Sequence, residues 1–376
     1  QGHEVYSCIP TERREGKNHY IVNRFGISVL CVKTGNITKC GFIEKGISTL
    51  LIERVFLRAI KKHYSGIRFD VVLYATPPIT FVNVVKYIKK RDNAVSYLLL
   101  KDIFPQNAVD LGVLSKSGFK SLLYYYFRHK EEKLYEISDH IGCMSAANVK
   151  YILDHNPQVD PSKLHINPNT MTPTDDTVSE EQILMMKKKY NIPTNATTFI
   201  YGGSLGKPQN IDFLVSCLSV CKNLSDRYFV ICGSGTGYKT IQYFIENEKP
   251  NNVLLINGLP REEYEIFVKA FDIGMIFLDY RFTIPNYPSR LLSYMQNAMP
   301  VLACTDPNSD VGIIAEENGY GWHCESNDPN NFKNVCDQAV NAELTLMKQN
   351  SLNFFLDHYT TEKSYNIIID RLENHR

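Results

Sequence analysis

Within residues 197–248 the chain twice runs an apolar, β-branched stretch into a glycine-rich turn and then into a helical segment. "TTFIYGGSLG" (197–206) leads into "NIDFLVSCLSVCKNL", and "YFVICGSGTGYKTIQYFIENE" (228–248) repeats the order. Strands joined through helices pair in parallel, because a crossover must carry the chain back before the next strand can start in the same direction. The first half holds the same alternation in looser form. "FDVVLYA" (69–75) is a strand followed by the helical "PPITFVNVVKYIKK"; "AVSYLLLKDIF" (94–104) is a strand entering a polar turn; "DHIGCMSAANVKYIL" (139–153) reads strand, Ser cap, helix. "NVLLINGLP", "IGMIFL" and "MPVLACT" supply further strands. Between the halves lies "LHINPNTMTPTDDTVSE" (164–180), rich in Pro, Thr, Asn and Asp. The pattern predicts an α/β protein of two Rossmann-like, doubly wound lobes, at 1–165 and 196–355. A linker at 166–195 joins them, and a C-terminal helix at 356–376 packs back toward the first lobe. Ligands of such sheets bind at the carboxyl ends of the strands, here expected in a cleft between the lobes.

The 376 residues, 44% of them hydrophobic, suffice for two cores. No window approaches 18 consecutive apolar residues, and none combines a basic start, an apolar run and a small-residue cleavage site. The ten Cys are scattered with no C-x-x-C pair, as in a reducing compartment, so a cytoplasmic location is expected. Cys217 and Cys221 lie four apart on a predicted helix without His at ligand spacing, and read as small buried hydrophobes. The net charge of +1 conceals an imbalance: residues 1–150 hold 23 Lys and Arg against 13 Asp and Glu, and the remainder holds 18 against 27. A basic first half suits an anionic partner. Nucleic acid is not expected, since neither zinc-finger spacing nor the aromatic ribonucleoprotein pattern occurs. A phosphate-bearing substrate or an anionic membrane remains. "KSGFKSLLYYYFRHKEEKLY" (116–135) interleaves basic residues with Leu, Tyr and Phe. It reads either as a helix meeting anionic lipid on the inner face of a membrane or as an amphipathic helix packed on its own lobe.

Three segments carry candidate chemistry. In "YGGSLGKPQN", Gly203, Ser204 and then Lys207 follow a strand; glycines admit a ligand to the backbone and Lys supplies a point charge for phosphate. A phosphate-binding G-x-x-x-x-G-K-[ST] loop is not met, because Pro208 follows the Lys; a tight turn with a solvated Lys is the plainer alternative. In "CGSGTGYKT", Gly233, Gly235 and Gly237 miss the G-x-G-x-x-G spacing by one residue. In "NYPSRLLSYMQNAMPVLA" (286–303), Pro288 opens a helix with Leu291, Leu292, Met295 and Ala298 on its apolar face, and Pro300 stops it. Ser289 and Arg290 stand at its electropositive end. The three segments are expected to converge on one sheet edge, where a diphosphate is favoured.

Together with "DVVLYATPP", "LLLKDIFPQNAVDLGVL", "ISDHIGCMSAANVKYI", "HINPN", "INGLPREEY" and "DIGMIFL", in that family's order, these segments resemble the retaining family 4 glycosyltransferases of GT-B fold. The nearest branch is the one making bacterial surface polysaccharides (lipopolysaccharide or capsule), which includes fucosamine and N-acetylhexosamine transferases. The resemblance implies a hexosyltransferase-type enzyme. The second lobe would bind a nucleoside-diphosphate sugar, by family a UDP-sugar, and the first a glycan or lipid-diphosphate-linked acceptor. Breaking the sugar–phosphate bond gives an oxocarbenium-like centre and a diphosphate that fixed donors must stabilise. Lys207 is the first candidate, with the backbone near Ser289–Leu291 and Arg290. The donor site implied includes Gly203, Ser204, Gly233 and Gly235, with the base near Gly258, Leu259 and Pro260. Asp102, in "KDIFP", would orient an acceptor hydroxyl or, more plainly, cap a turn. Neither metal nor cofactor is expected, because lysine and helix ends take the charge role of Mg²⁺.

The match departs from the family in two places. Two glutamates eight residues apart are usual before the "PV" segment; aligned on Pro300 they fall at Pro285 and Ser293, and the usual glycine is Ala298. Ser293 would hold a ribose hydroxyl more weakly than a carboxylate does. "QGHEV" resembles the end of the family's first helix, so the first strand, its loop and most of that helix are expected to be missing from a truncated lobe. Two rival readings follow: a catalytically weak sugar-nucleotide-binding scaffold subunit, and a sugar-nucleotide epimerase of the same fold.

Overall fold

The computed structural model describes residues 2–38, 40–174 and 178–373. The chain divides into two compact units, the first made of residues 1–105, 114–142 and 156–165, the second of 106–113, 143–155 and 166–376.

The first unit opens with β1 (Tyr6–Glu12), β2 (Tyr20–Arg24) and β3 (Ile27–Thr34), a sheet of order β1-β3-β2. β1 pairs with β3 in parallel, but β2 and β3 form an antiparallel hairpin that the strand–helix alternation did not anticipate. Its cause is a two-residue turn, Phe25 and Gly26, both at positive φ (55° and 81°), with the Gly26 N–H donating to Asn23 Oδ1 at 3.0 Å. α1 (Phe42–His63), β4 (Val71–Ala75), α2 (Val82–Asp92) and β5 (Val95–Leu100) follow. After them come α3 (Gln106–Asp110), α4 (Ser121–Ile137), β6 (His140–Cys143), α5 (Ala146–His155) and β7 (Leu164–Ile166); α3 and α5 belong to the second unit. The second sheet of this unit has order β4-β5-β6-β7, and among the described residues β1 and β4 each lie at a sheet end. Leu30 and Val32 of β3 pack with Phe56 and Ile60 of α1 and Val84 and Ile88 of α2. One apolar face of each element is thereby removed from water.

In the second unit α6 (Glu180–Lys189) precedes β8 (Thr197–Ser204), α7 (Ile211–Val220), β9 (Arg227–Ser234), α8 (Tyr238–Glu248) and β10 (Val253–Ile256). Then come α9 (Arg261–Phe267), β11 (Ile273–Phe277), α10 (Arg290–Gln296), β12 (Val301–Thr305), α11 (Val311–Glu317) and β13 (Gly321–Glu325). Three helices close the chain: α12 (Pro329–Val340), α13 (Leu344–His358) and α14 (Thr361–Glu373). Its six strands form one parallel sheet of order β10-β9-β8-β11-β12-β13. Alternate residues feed two cores. Ile200, Val230, Ile276 and Val301 go to one face, and Phe199, Phe229, Met275 and Leu302 to the other. Both faces being covered, the inner strands β8, β9, β11 and β12 each hold an unbroken apolar stretch. Cys217 and Cys221 are fully buried in the second of these cores, as small hydrophobes. The segment read as a linker carries α6, whose Ile183 and Met186 pack on this unit's core. Residues 175–177 of that segment lie outside the described residues.

The strand order decides where a ligand can sit. From β8 the chain winds outward through β9 to β10, then crosses to β11 and winds the other way. The order therefore reverses between β8 and β11, and the crevice of such a sheet opens beyond the carboxyl ends of those strands.

Candidate active site

At that point the ends of β8 and β9 lie side by side, with Gly203 paired to Gly233 and Ser204 to Ser234. A Cβ on Gly233 would stand 1.9 Å from the Gly203 oxygen, and one on Gly235 would stand 2.4 Å from the Leu205 oxygen. Gly203 and Gly235 also have φ of 127° and 151°, which side chains rarely adopt. The two turns hold each other: the Leu205 N–H donates to Ser234 O and the Gly237 N–H to Leu205 O, both at 2.9 Å. The result is an exposed ledge of bare backbone at Gly203, Ser204, Ser234 and Gly235. Lys207 opens the short 3-10 turn Lys207–Gln209 beyond it, with its side chain exposed. Two bonds fix this turn: Gly206 N–H to Gln209 Oε1 at 3.0 Å, and the Asp279 N–H to Pro208 O at 2.9 Å.

Arg290, the first residue of α10, reaches the same ledge. Its guanidinium lies over the Tyr201 ring, 4.3 Å from the centroid, and a Cβ on Gly203 would be 3.6 Å from its Nη2. Nη1 is buried with no hydrogen-bond partner. A buried charged donor left unmet is costly, and it marks a place where an anionic acceptor is wanted. The neighbouring phenols do not supply one. Burial pushes Tyr294 up to about 12 and raises Tyr201 as well, so both are neutral near pH 7. Tyr201 donates to Ser204 O at 2.7 Å, and Tyr294 accepts the Gly202 N–H at 3.0 Å. Tyr264 of α9 fills the space behind Gly202, where a Cβ would meet its hydroxyl at 1.8 Å.

The other residues singled out in the sequence are distributed as follows. Ser289 is exposed and Leu291 buried, and the Leu291 N–H is already bonded to Pro288 O at 3.2 Å. Ser293 is half-buried on α10, and the Pro285 oxygen accepts from Asn148 Nδ2 of α5 at 3.0 Å. Gly258, at φ 68°, turns the chain after β10; Leu259 packs on the core and Pro260 precedes α9. Asp102 belongs to the first unit, at the end of β5. The Thr76 hydroxyl donates to its carbonyl at 3.0 Å, and its N–H approaches that hydroxyl at 3.3 Å. Beside it, burial lowers the Lys101 amine to about 8. Among the described residues no three or more His, Cys, Asp and Glu are grouped to hold a metal ion.

Two further carboxylates, neither in a glycine-rich segment, brace the site. Asp279, just past β11, pairs with Arg281 at 2.9 and 2.6 Å. Burial alone would raise its pKa, but the bonds and charge of Arg281 hold it below the usual range. Asp306, past β12, is buried and pushed up to about 6 by that burial, although it accepts from Ser309 Oγ at 2.8 Å and from two backbone N–H groups. Ser309 Oγ in turn accepts the Asn286 N–H at 2.9 Å, fixing the approach to α10. Each Asp directly follows an apolar strand run, in "IFLD" and "LACTD", and that position was the available signal.

Comparison with known proteins bears on the family and the fold. Residues 183–352 match the family model described as Glycosyl transferases group 1. The chain is 24% identical over 324 residues to the probable glycosyltransferase WbjE of Pseudomonas aeruginosa, covering 84% of this chain and 76% of that one. It is similar to sucrose-phosphate synthase of Thermosynechococcus elongatus, with TM-score 0.70 and 12% identity over 95% of this chain and 86% of that one. Anabaena Alr3699/HepE in complex with UDP and glucose gives TM-score 0.67 and 13% identity, covering 93% and 86%. The structural likenesses show the fold, two Rossmann-like α/β lobes of GT-B type. The family match and the relative support a group 1 glycosyltransferase.

Proposed function

We propose that this chain transfers a hexose-type sugar, with retention, from a UDP-sugar to a glycan or lipid-diphosphate-linked acceptor in surface polysaccharide synthesis. The observation that carries the reading is Arg290, held on Tyr201 with one buried N–H group unmet, above a ledge of glycine backbone. The ledge at Gly203, Ser204, Ser234 and Gly235, backed by the buried Gly233, admits a diphosphate, and Lys207 and Arg290 face the charge that grows on it as the sugar–oxygen bond breaks. The acceptor hydroxyl attacks the same face of the sugar as its bond to phosphate opens, and its proton passes to the departing phosphate oxygen. Asp102 orients that hydroxyl. The nucleoside lies against Gly258–Pro260, and Ser293 takes a ribose hydroxyl. Lysine and arginine fill the charge-neutralising role here, so the reading calls for no metal.

Titration with UDP tests the proposal. Arg290→Ala should weaken binding about 10- to 100-fold, the loss expected for a hydrogen bond to a charged group, and Arg290→Lys should recover only part, because an ammonium cannot stack on Tyr201. Absence of UDP binding, or equal affinity in Arg290→Ala, would overturn it. The scaffold reading keeps one specific support, Pro285 and Ser293 in place of two glutamates. Release of UDP from a UDP-sugar only when acceptor is present separates the enzyme from the scaffold.

A further inference from the structure

Of the ten cysteines, five share one core of the second unit: Cys217, Cys221, Cys304, Cys324 and Cys336. Packing as a small hydrophobe accounts for Cys217, whose thiol is pushed up by burial. Cys221 has polar company as well. It closes α7, and α12, which packs on that helix, carries Cys336. The Cys336 thiol donates a hydrogen bond to the Cys221 sulfur, and both residues are fully buried.

Arg227, the first residue of β9, stands beside the pair and is only 3% exposed. Its Nε and Nη2 bond Asp226 at 2.8 and 2.9 Å, and Nη2 also reaches Asp337 of α12 at 2.6 Å. Nη1 is buried with no hydrogen-bond partner. A buried cationic donor left unmet favours an anion nearby, and the neighbouring Cys221 thiol can become one. Asn252 fixes the arrangement: its Nδ2 donates to Cys221 O at 2.9 Å and to Arg227 O at 3.3 Å. The bond from Cys336, with the charges of Arg227 and Lys333, holds the Cys221 thiol below its ordinary range against burial and Asp337. Burial and the same bond push Cys336 well above that range. One sulfur is thus prepared to ionise beside another that keeps its proton. Cys304 and Cys324, directly paired on β12 and β13 with their Sγ atoms 3.1 Å apart, differ in this respect, since burial holds Cys304 protonated.

We propose that Cys221 and Cys336 form a dithiol that a small peroxide oxidises to a disulfide. The Cys221 sulfur attacks one peroxide oxygen and the O–O bond breaks. The hydroxide that leaves takes up the proton released by the thiol and becomes water. Cys336 then attacks the sulfenic acid on Cys221; the S–O bond breaks, and a second water leaves with the Cys336 proton. The two thiols lose two electrons, and hydrogen peroxide gains them. Access comes through the helix end. Cys221 is the last position of α7, and Asn223, two residues on, is exposed, so local opening there admits an uncharged oxidant of that size. The pair lies by the amino ends of β9 and β10, whereas the glycine ledge lies at the carboxyl ends of β8 and β9. The proposal therefore does not rest on the donor reading.

Exposing the native full chain to hydrogen peroxide, then counting thiols after unfolding it, tests this. The count is expected to fall by two from ten and to be restored by dithiothreitol. A proteolytic map of the oxidised chain should show the peptides of Cys221 and Cys336 joined. Cys336→Ser should stop the reaction at a sulfenic acid on Cys221, which dimedone captures, and Cys221→Ser should lose no thiol. A chain that keeps all ten thiols, a link joining Cys304 to Cys324 in place of the expected one, or a loss that dithiothreitol does not restore would each overturn the proposal. Dimedone capture at Cys336 in Cys221→Ser would overturn it too, by showing that the unpaired Arg227 group does not select the attacking sulfur. The map is made on the unsubstituted chain, so the test holds even where a variant fails to fold.

Discussion

At Asp306 a single carboxyl sets a pH dependence that can be signed. Unfolded, it titrates near 3.8; folded, burial raises it to about 6. The native state therefore holds the proton through a window in which the unfolded chain has lost it. The group's contribution is fully present below about 3.8 and falls away as pH rises through about 6. The loss is on the order of 2–3 kcal/mol. Asp306→Asn keeps acceptors for the N–H groups of Asn308 and Ser309 and never ionises. Its stability relative to the parent should rise between pH 4 and 6 and level off above, as read from urea midpoints at several pH values. A constant difference across that range would contradict this account. The candidate glycines were legible as residues because bare backbone leaves a compositional mark directly after a strand. Tyr264 behind Gly202 and Tyr201 under Arg290 were not, because each contact joins residues more than 60 positions apart.

The element that carries Arg290 at the candidate site, α10, is shorter than its pattern suggests. The sequence places Ala298 on the helix face, but α10 ends at Gln296 and Ala298 adopts φ 52°. The Met299 N–H bonds Tyr294 O at 3.0 Å and the Ala298 N–H bonds Met295 O at 2.9 Å, the pair of bonds of a helix end whose left-handed position is normally glycine. An alanine there bears a steric penalty, so Ala298→Gly should stabilise the protein by about 1 kcal/mol. A higher urea midpoint with unchanged slope would show it; an unchanged or lower midpoint would not fit. Other elements were more legible. In the second unit the inner strands β8, β9, β11 and β12 are covered on both faces, so hydrophobic runs and strands coincide there; the edge strand β13, Gly-Trp-His-Cys-Glu, carries no such run. In the hairpin β2–β3 the signal was the turn and not periodicity, and an alternation of strands with helices conceals it.

For the whole molecule, the second unit is assembled from three separate stretches of chain. Thr283 donates its N–H to Asp110 Oδ2 at 2.9 Å; the Ala147 N–H at the start of α5 bonds Asp310 Oδ2 at 3.0 Å; and Asn148 reaches Pro285 O. Met144 joins the core beside Tyr287 and Leu291. A fragment of residues 166–376 would lack all of these and leave Met144's place in that core empty. We expect it to unfold at clearly lower urea than the same sheet in the full chain, with tryptophan fluorescence of Trp322 as the probe. A fragment as stable as the full chain would show that the two insertions carry no packing role.

The sequence by itself determined the parallel α/β class, five of the six strands of the second unit and the glycine turns, because periodicity and backbone freedom are local properties written into consecutive residues. Only the tertiary structure decided that the strand order reverses between β8 and β11, that Arg290 comes to rest on Tyr201 above those glycines, and that Cys336 of α12 meets Cys221 of α7. Each of these depends on which distant elements share a surface. That is fixed by how their buried faces pack, a sum over contacts that no single window of sequence contains.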